Sequence, residues 1–296
     1  MSATFQAIGL LARHQDPSVG ETILQLGSIL RDRGFSILLE NKIAAQLDSW
    51  ELGSATQDEI ARNSDLVIVV GGDGTLLHAA RSMADHDVPL LGINLGRLGF
   101  LTDISPDNMC QALNEILDGK YEEEQRFLLK AEVGQGGGSS TSATAFNDVV
   151  IHKWNVARMI EFETYVDGRF VETQRADGLI IATPTGSTAY ALSGGGPLLD
   201  PALNALVMVP ICPHTLSNRP IVVGGDCEID IVICGRTDPN NVRITCDGDS
   251  SLVSANKERI HIRKHDHSIR LIHPAGHDHF NLLRAKLGWS EHRINR

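Results

Sequence analysis

One aspartate interrupts a turn that is otherwise built to receive an anion. Leu66 to Val70, five apolar and mostly β-branched residues, read as a strand buried on both faces of a parallel sheet, and Thr75 onward reads as a helix. Between them lies Gly71-Gly72-Asp73-Gly74. Glycines at such a junction let the backbone approach a ligand closely, and the free N–H groups of the following helix would face a phosphate. A carboxylate repels phosphate oxygens, so Asp73 must serve some other chemistry, either holding Mg²⁺ or accepting the proton of a hydroxyl that attacks phosphorus. Both roles point to phosphoryl transfer. The plainer alternative is that Asp73 caps the helix. The lysine of a Walker motif is absent, so this turn is not a P-loop.

Two more stretches carry chemistry. From Asp177 to Pro197 a strand runs into a loop crowded with hydroxyls and glycines, Thr183-Pro184-Thr185-Gly186-Ser187-Thr188-Ala189-Tyr190-Ala191-Leu192-Ser193. Such a loop suits hydrogen bonding to ribose, amide and phosphate groups, or is a generic polar connection. In Phe146-Asn147-Asp148-Val149 an amide beside a carboxylate can fix two adjacent sugar hydroxyls, or form a turn with its own side chains satisfied. Phe100 either stacks on a base or anchors the next segment. Arg175 is either an ion-pair partner at a strand end or a phosphate contact.

The elements that position these residues change character along the chain. Phe5 to Leu11, Phe35 to Leu39, Asp65 to Val70 and Val88 to Ile93 read as strands. They alternate with a helix marked by Ile23, Leu26 and Leu30 and closed by Gly34, and with a short helix opened by the capping box Thr56-x-x-Glu59. Ser105-Pro106 opens a further helix that Gly119 closes. Alternation of this kind means an open parallel sheet, whose ligands sit at the carboxyl ends of the strands. From Arg126 to His273 the pattern is short and β-rich, with a hairpin at Asp167-Gly168 and a Gly/Ser-rich stretch from Gly134 to Ser142 that reads as a mobile loop. Phe280, Leu283, Leu287 and Trp289 mark a last helix that packs back. The expected fold is thus an α/β N-terminal domain with an open parallel sheet (1–120), an all-β C-terminal domain (121–273), and a terminal segment (274–296) returning to the first.

Composition narrows the function classes. The 296 residues suit two domains sharing a cleft, and 42% hydrophobic with 21% charged residues is ordinary for a soluble globular protein. No apolar run approaches the ~18 residues of a membrane helix, and no secretion signal opens the chain. A formal net charge of -11 argues against nucleic-acid binding, though a small anion needs only a few local cations. Five cysteines without a C-x-x-C pair suggest reduced thiols in a cytoplasm. Seven of the 12 histidines (His261, His265, His267, His273, His277, His279, His292) fall near the end. With no cysteine or acidic partner at diagnostic spacing, they read as a solvated surface or oligomer contact before a zinc site.

Together the Gly-Gly-Asp-Gly-Thr turn, the Asn147-Asp148 pair and the run Asp177 to Pro197, in this order and spacing, resemble the bacterial NAD kinases over nearly the whole chain. The turn is shared with diacylglycerol-kinase-like lipid kinases; the Thr-Pro-Thr-Gly-Ser-Thr-Ala-Tyr run is far more specific. The resemblance implies that the 2′-hydroxyl of the adenosine ribose of NAD attacks the terminal phosphate of ATP, with a divalent cation, Mg²⁺, on the phosphates. It implies Asp73 as proton acceptor and Gly74 against the ligand. Asn147 and Asp148 then hold the ribose region, and Phe100, Arg158, Arg175, Asp177, Thr188, Ala189, Tyr190, Ala191, Leu192 and Ser193 contact the dinucleotide. It also implies a homo-oligomer, with the site between the two domains. Two departures stand out. Most relatives have Asn-Glu where this chain has Asn147-Asp148, and many have Gln where Asp249 falls, which leaves a substrate-binding role for Asp249 in doubt.

Overall fold

A computed structural model describes residues 5–13, 18–47, 50–96, 98–135, 139–154, 157–235, 237–252 and 259–289. Arg97 and His292 lie outside the described residues. The chain divides into two compact units, one made of Met1–Gln125 with Ile269–Arg296, the other of Arg126–Ser268.

The first unit is α/β, as the alternation of periods requires. Its parallel strands run, from one edge, Gly53–Ala55, Ser36–Glu40, Ala7–Ala12, Leu66–Val70 and Leu90–Ile93, followed by Leu271 and Ile272 of the long strand Arg259–Pro274. Leu66 to Val70 are fully buried, the signature of a strand covered on both faces. One cover comes from the helices Ser18–Asp32 and Pro106–Leu117, whose Ile23, Leu26, Leu30, Met109, Leu113 and Ile116 share a core with Ile8, Leu10, Ile68 and Val70. Each such side chain contributes about 1.5–3 kcal/mol by leaving water. The capping box forms as expected, Thr56 Oγ1 accepting from Glu59 N while Glu59 accepts from Thr56 N. The helix His279–Leu287 belongs to this unit, capped by Asp278 and ended by Gly288 in the left-handed region.

The second unit is all β. Its six-stranded sheet runs Ile221–Gly224, Ala205–Ile211, Gly178–Ala182, Asp148–Lys153, Val242–Cys246, Asp249–Leu252, every pair antiparallel. Val149, Ile151, Leu179, Ile181 and Ile244 of this sheet share a core with Ile160, Phe162, Ile229, Ile231 and Ile260, which lie on antiparallel strands of another. The hairpin Ile160–Val166 to Arg169–Ala176 turns at Asp167 and Gly168, both at positive φ as a type I′ turn demands. The stretch Gly134 to Ser142 departs from the expected loop. Gly134 pairs with Ser140, Val133 with Thr141 and Glu132 with Ser142, so a hairpin ladder runs through it; 136–138 lie outside the described residues. The β-rich flanks Leu129 to Val133 and Thr141 to Ala145 carry the register through a composition that alone favours disorder.

Candidate functional site

Asp73 is the first residue of the helix Asp73–Ser82, and the cap position is taken by Gly72, with no side-chain cap bond. The capping alternative therefore fails. The carboxylate turns instead to the segment after Gly99: Oδ1 accepts from Leu101 N at 3.1 Å, Thr102 N at 3.2 Å and Thr102 Oγ1 at 3.0 Å, and Oδ2 accepts from Phe100 N at 2.7 Å. Gly99 has no side chain because a Cβ there would lie 2.0 Å from Asp73 Oδ1. Gly74 differs: a Cβ on it would meet nothing within 4 Å, so protein packing does not explain its bareness. Phe100 is half-buried, with Lys286 Nζ 5.1 Å above its ring.

In the second unit a parallel device gathers Asn147 and Asp148. Asp247, at φ 53 in the turn before Gly248, accepts from Phe146 N at 2.9 Å, Asn147 N at 2.7 Å and Asp148 N at 3.1 Å. Gly186 closes the other side, since a Cβ would lie 2.1 Å from the Asn147 carbonyl oxygen. The pair opens onto a cavity of about 510 Å³ that Asp177, Lys153, His152, Ala189, Tyr190, Thr245 and Asp247 also line. Lys153 Nζ and Asp177 Oδ1 are 2.7 Å apart. Asp148 is 4% exposed. Burial, and then the nearby Asp247 carboxylate, push its carboxyl up to about 7, against the opposing Tyr190 N–H. The carboxyl groups of Asp148, Asp177 and Asp247 outnumber the one ammonium, so the polar part of the lining offers acceptors to hydroxyl and amino groups, beside the apolar Val150 and Ile211.

The arginines stand elsewhere in the same unit. Arg158 and Arg175, both exposed, line a second concavity of about 1210 Å³ with Glu161, Thr237 and Asp238. Arg175 makes no ion pair among the described residues. Asp249 begins the edge strand Asp249–Leu252, is exposed, and lines neither cavity.

The hydroxyls of Thr183, Thr185, Ser187 and Thr188 are engaged within the protein itself. Thr183 Oγ1 donates to Phe146 O at 2.7 Å, Ser187 Oγ to Pro184 O at 2.6 Å, and Thr188 Oγ1 to Thr185 O at 3.0 Å, while Arg126 donates to Thr185 Oγ1 at 3.2 Å. These hydroxyls satisfy a buried turn, Thr185–Thr188 in 3₁₀ form and Tyr190–Ser193 in α form. Ala191 is fully buried against Val209 and Ile180, Leu192 is half-buried, and Ser193 is exposed. What this turn presents to the cavity is Ala189 and Tyr190. Sequence reasoning passed over Asp247, Lys153 and Gly186. An available signal was the Asp247-Gly248 dipeptide, the same turn chemistry that Asp167-Gly168 displays.

Residues 8–121 match the family model described as the ATP-NAD kinase N-terminal domain, and residues 146–274 the ATP-NAD kinase C-terminal domain. A relative from Nitrosococcus oceani, an NAD kinase, is 49% identical over 290 residues, covering 98% of both chains. One from Teredinibacter turnerae, also an NAD kinase, is 48% identical over 292 residues and covers 99% of both. Among solved structures, an NAD kinase from Archaeoglobus fulgidus in complex with ATP is 26% identical with a TM-score of 0.76, covering 96% of this chain and 99% of that one. Yeast NADH kinase complexed with NADH has a TM-score of 0.88 at 24% identity, covering 100% of this chain and 94% of that one, a likeness of fold.

Proposed function

The chain belongs to the ATP-NAD kinase family, and we propose that it transfers the terminal phosphate of ATP to the 2′-hydroxyl of the adenosine ribose of NAD, giving NADP and ADP. The observation that carries this beyond family membership is the acceptor-rich cavity of the second unit, where Asn147, Asp148 and Asp177 face one space of about 510 Å³. That lining suits a nucleoside with its hydroxyls. The family match over nearly the whole chain puts the lipid-kinase reading behind it. We assign dinucleotide binding to Arg126–Ser268, with Asn147 and Asp148 at the ribose, Tyr190 and Ala189 beside it, and Arg158 and Arg175 available to phosphate oxygens.

Asp73 serves as the proton acceptor. Among the described residues its Oδ1 takes three donors, whereas Oδ2 takes only the Phe100 N–H and keeps a lone pair for a hydroxyl. As the ribose oxygen bonds to phosphorus, the bond from phosphorus to the β-bridging oxygen breaks, ADP departs, and the hydroxyl proton passes to Oδ2. General-base help of this kind is worth about 10²–10⁴ in rate, the rest coming from positioning. Mg²⁺ carried by the triphosphate would screen its charge. The group of described residues best arranged to hold a cation, Asp103 with His273 and His277, is nitrogen-rich and suits Mg²⁺ poorly.

The five cysteines are all free, which supports a reducing cytoplasm as the compartment in which it acts. The edge strand Arg169–Ala176 exposes Phe170 and Val171, which supports a homo-oligomer. No helix among the described residues is long and apolar enough to cross a membrane. The test is purified protein with NAD, ATP and Mg²⁺, coupled to an NADP-specific dehydrogenase. The expected result is NADP formation that excess chelator abolishes. No NADP, or full activity in chelator, overturns the proposal, and binding of NAD without turnover marks a noncatalytic sensor.

A further inference from the structure

The histidine-rich end of the chain contains an arrangement that the kinase reaction does not use. His273 closes the strand Arg259–Pro274 and His277 follows the turn after it; both reach Asp103, about 170 residues earlier in the chain. Asp103 Oδ2 lies 3.1 Å from His273 Nδ1 and 2.8 Å from His277 Nδ1. The two imidazoles stack with centroids 3.9 Å apart and planes inclined at 24°. The site is closed: the side chains of His273, His277 and Asp103 are 2%, 8% and 14% exposed. One potential ligand atom of each lies within 4.8 Å of the others.

One feature argues against a purely hydrogen-bonded cluster: His273 Nε2, fully buried, has no hydrogen-bond partner, and Glu124 Oε2 stands 3.6 Å away, beyond hydrogen-bond reach. A cation at the Nδ1 side would replace two protons at once and let Glu124 draw in on the outer nitrogen, the carboxylate-histidine-metal relay that orients such ligands. Oxygen and nitrogen ligands at ~2.0–2.1 Å from a tetrahedral ion stand roughly 3.3 Å apart. The two separations from Asp103 Oδ2 need to open by only a few tenths of an ångström, and the imidazoles must turn out of their stack for both Nδ1 atoms to aim at one ion. Two imidazoles and one carboxylate, with a position left for water, select borderline cations over Mg²⁺ and Ca²⁺.

We propose that Asp103, His273 and His277 form a binding site for one divalent cation of the zinc class. Its place in the first unit gives it a consequence. Asp103 directly follows Thr102, whose N–H and hydroxyl both hold Asp73, so an ion here pins the end of the segment that positions that carboxylate.

The test needs neither nucleotide nor turnover, so it stands or falls separately from the kinase reading. Metal-free full-length protein is titrated with Zn²⁺ against a chromophoric chelator, and the zinc-loaded protein is measured by X-ray absorption. The expected result is one tight ion per chain with two imidazoles, oxygen and no sulfur in its shell. His277→Gln and Asp103→Asn should each weaken binding at least 100-fold, with His265→Gln/His267→Gln unchanged. Sulfur ligation, absence of tight binding in the parent protein, or wild-type affinity in the folded His277→Gln and Asp103→Asn variants overturns the site. The absorption measurement on the parent protein decides the matter even where a variant does not fold.

Discussion

Asp148→Asn should make the protein more stable, and increasingly so as pH rises. The wild-type carboxyl titrates at about 7 in the folded chain against an ordinary value of 3.8, because burial and Asp247 both disfavour its charge. A carboxyl with a raised folded value is bound to its proton more tightly in the native state than in the unfolded one. Stability then falls as pH climbs from the unfolded value to the folded one, by about 1.4 kcal/mol per pH unit, and levels off above. Between pH 5 and 7 the wild type should lose about 2–3 kcal/mol that Asp148→Asn keeps. Because two units need not unfold together, the readout must belong to the second. Trp154 lies there, and a Trp50→Phe/Trp289→Phe background leaves it the sole tryptophan. Urea unfolding followed by its fluorescence at pH 5, 6, 7 and 8 gives the two curves. If their separation stays constant with pH, Asp148 titrates as an ordinary carboxyl and the account of the cavity's electrostatics is wrong.

Asp73→Asn should lower kcat at least about 100-fold while NAD affinity, measured by calorimetry, persists. Since Asn turns an N–H₂ toward donors that now meet a carboxylate, amide exchange at Leu101 and Thr102 should also rise; wild-type turnover would end the proton-acceptor assignment. Asp148→Ala should raise KM for NAD more than for ATP, and steady-state kinetics with each substrate varied in turn would reverse the assignment if only ATP were affected.

Legibility in the sequence followed the range of the interactions. The strand Leu66–Val70, the capping box at Thr56 and the turn at Asp167-Gly168 are local: composition and spacing over a few residues determine them. The short strand Gly53–Ala55 and the helical turn Asn41–Ala44 carry no periodicity of their own and exist because Ser36–Glu40 offers them an edge and a face. The site was legible as residue types but not as orientations. Thr183, Ser187 and Thr188 look like ligand donors until their partners Phe146, Pro184 and Thr185 are known. Asp247 and Asp103 escaped notice because what each binds, the Phe146 to Asp148 amides and the two histidines, lies about 100 to 170 residues away in the chain.

The chain leaves its first unit after Gln125 and re-enters it at Ile269, which has a consequence for synthesis. Ile93 bridges Ile104 close by in the chain, but Leu90 and Leu91 gain their second neighbours only when Leu271 and Ile272 arrive. On a ribosome adding ~5–20 residues per second, the roughly 180 intervening residues take about 10–40 s. Throughout that interval the first half of a short apolar strand stands with one side unpaired, a template for another nascent chain. Pro89, which lacks an N–H and immediately precedes the strand, shortens the row of donors that such an intruder could grip.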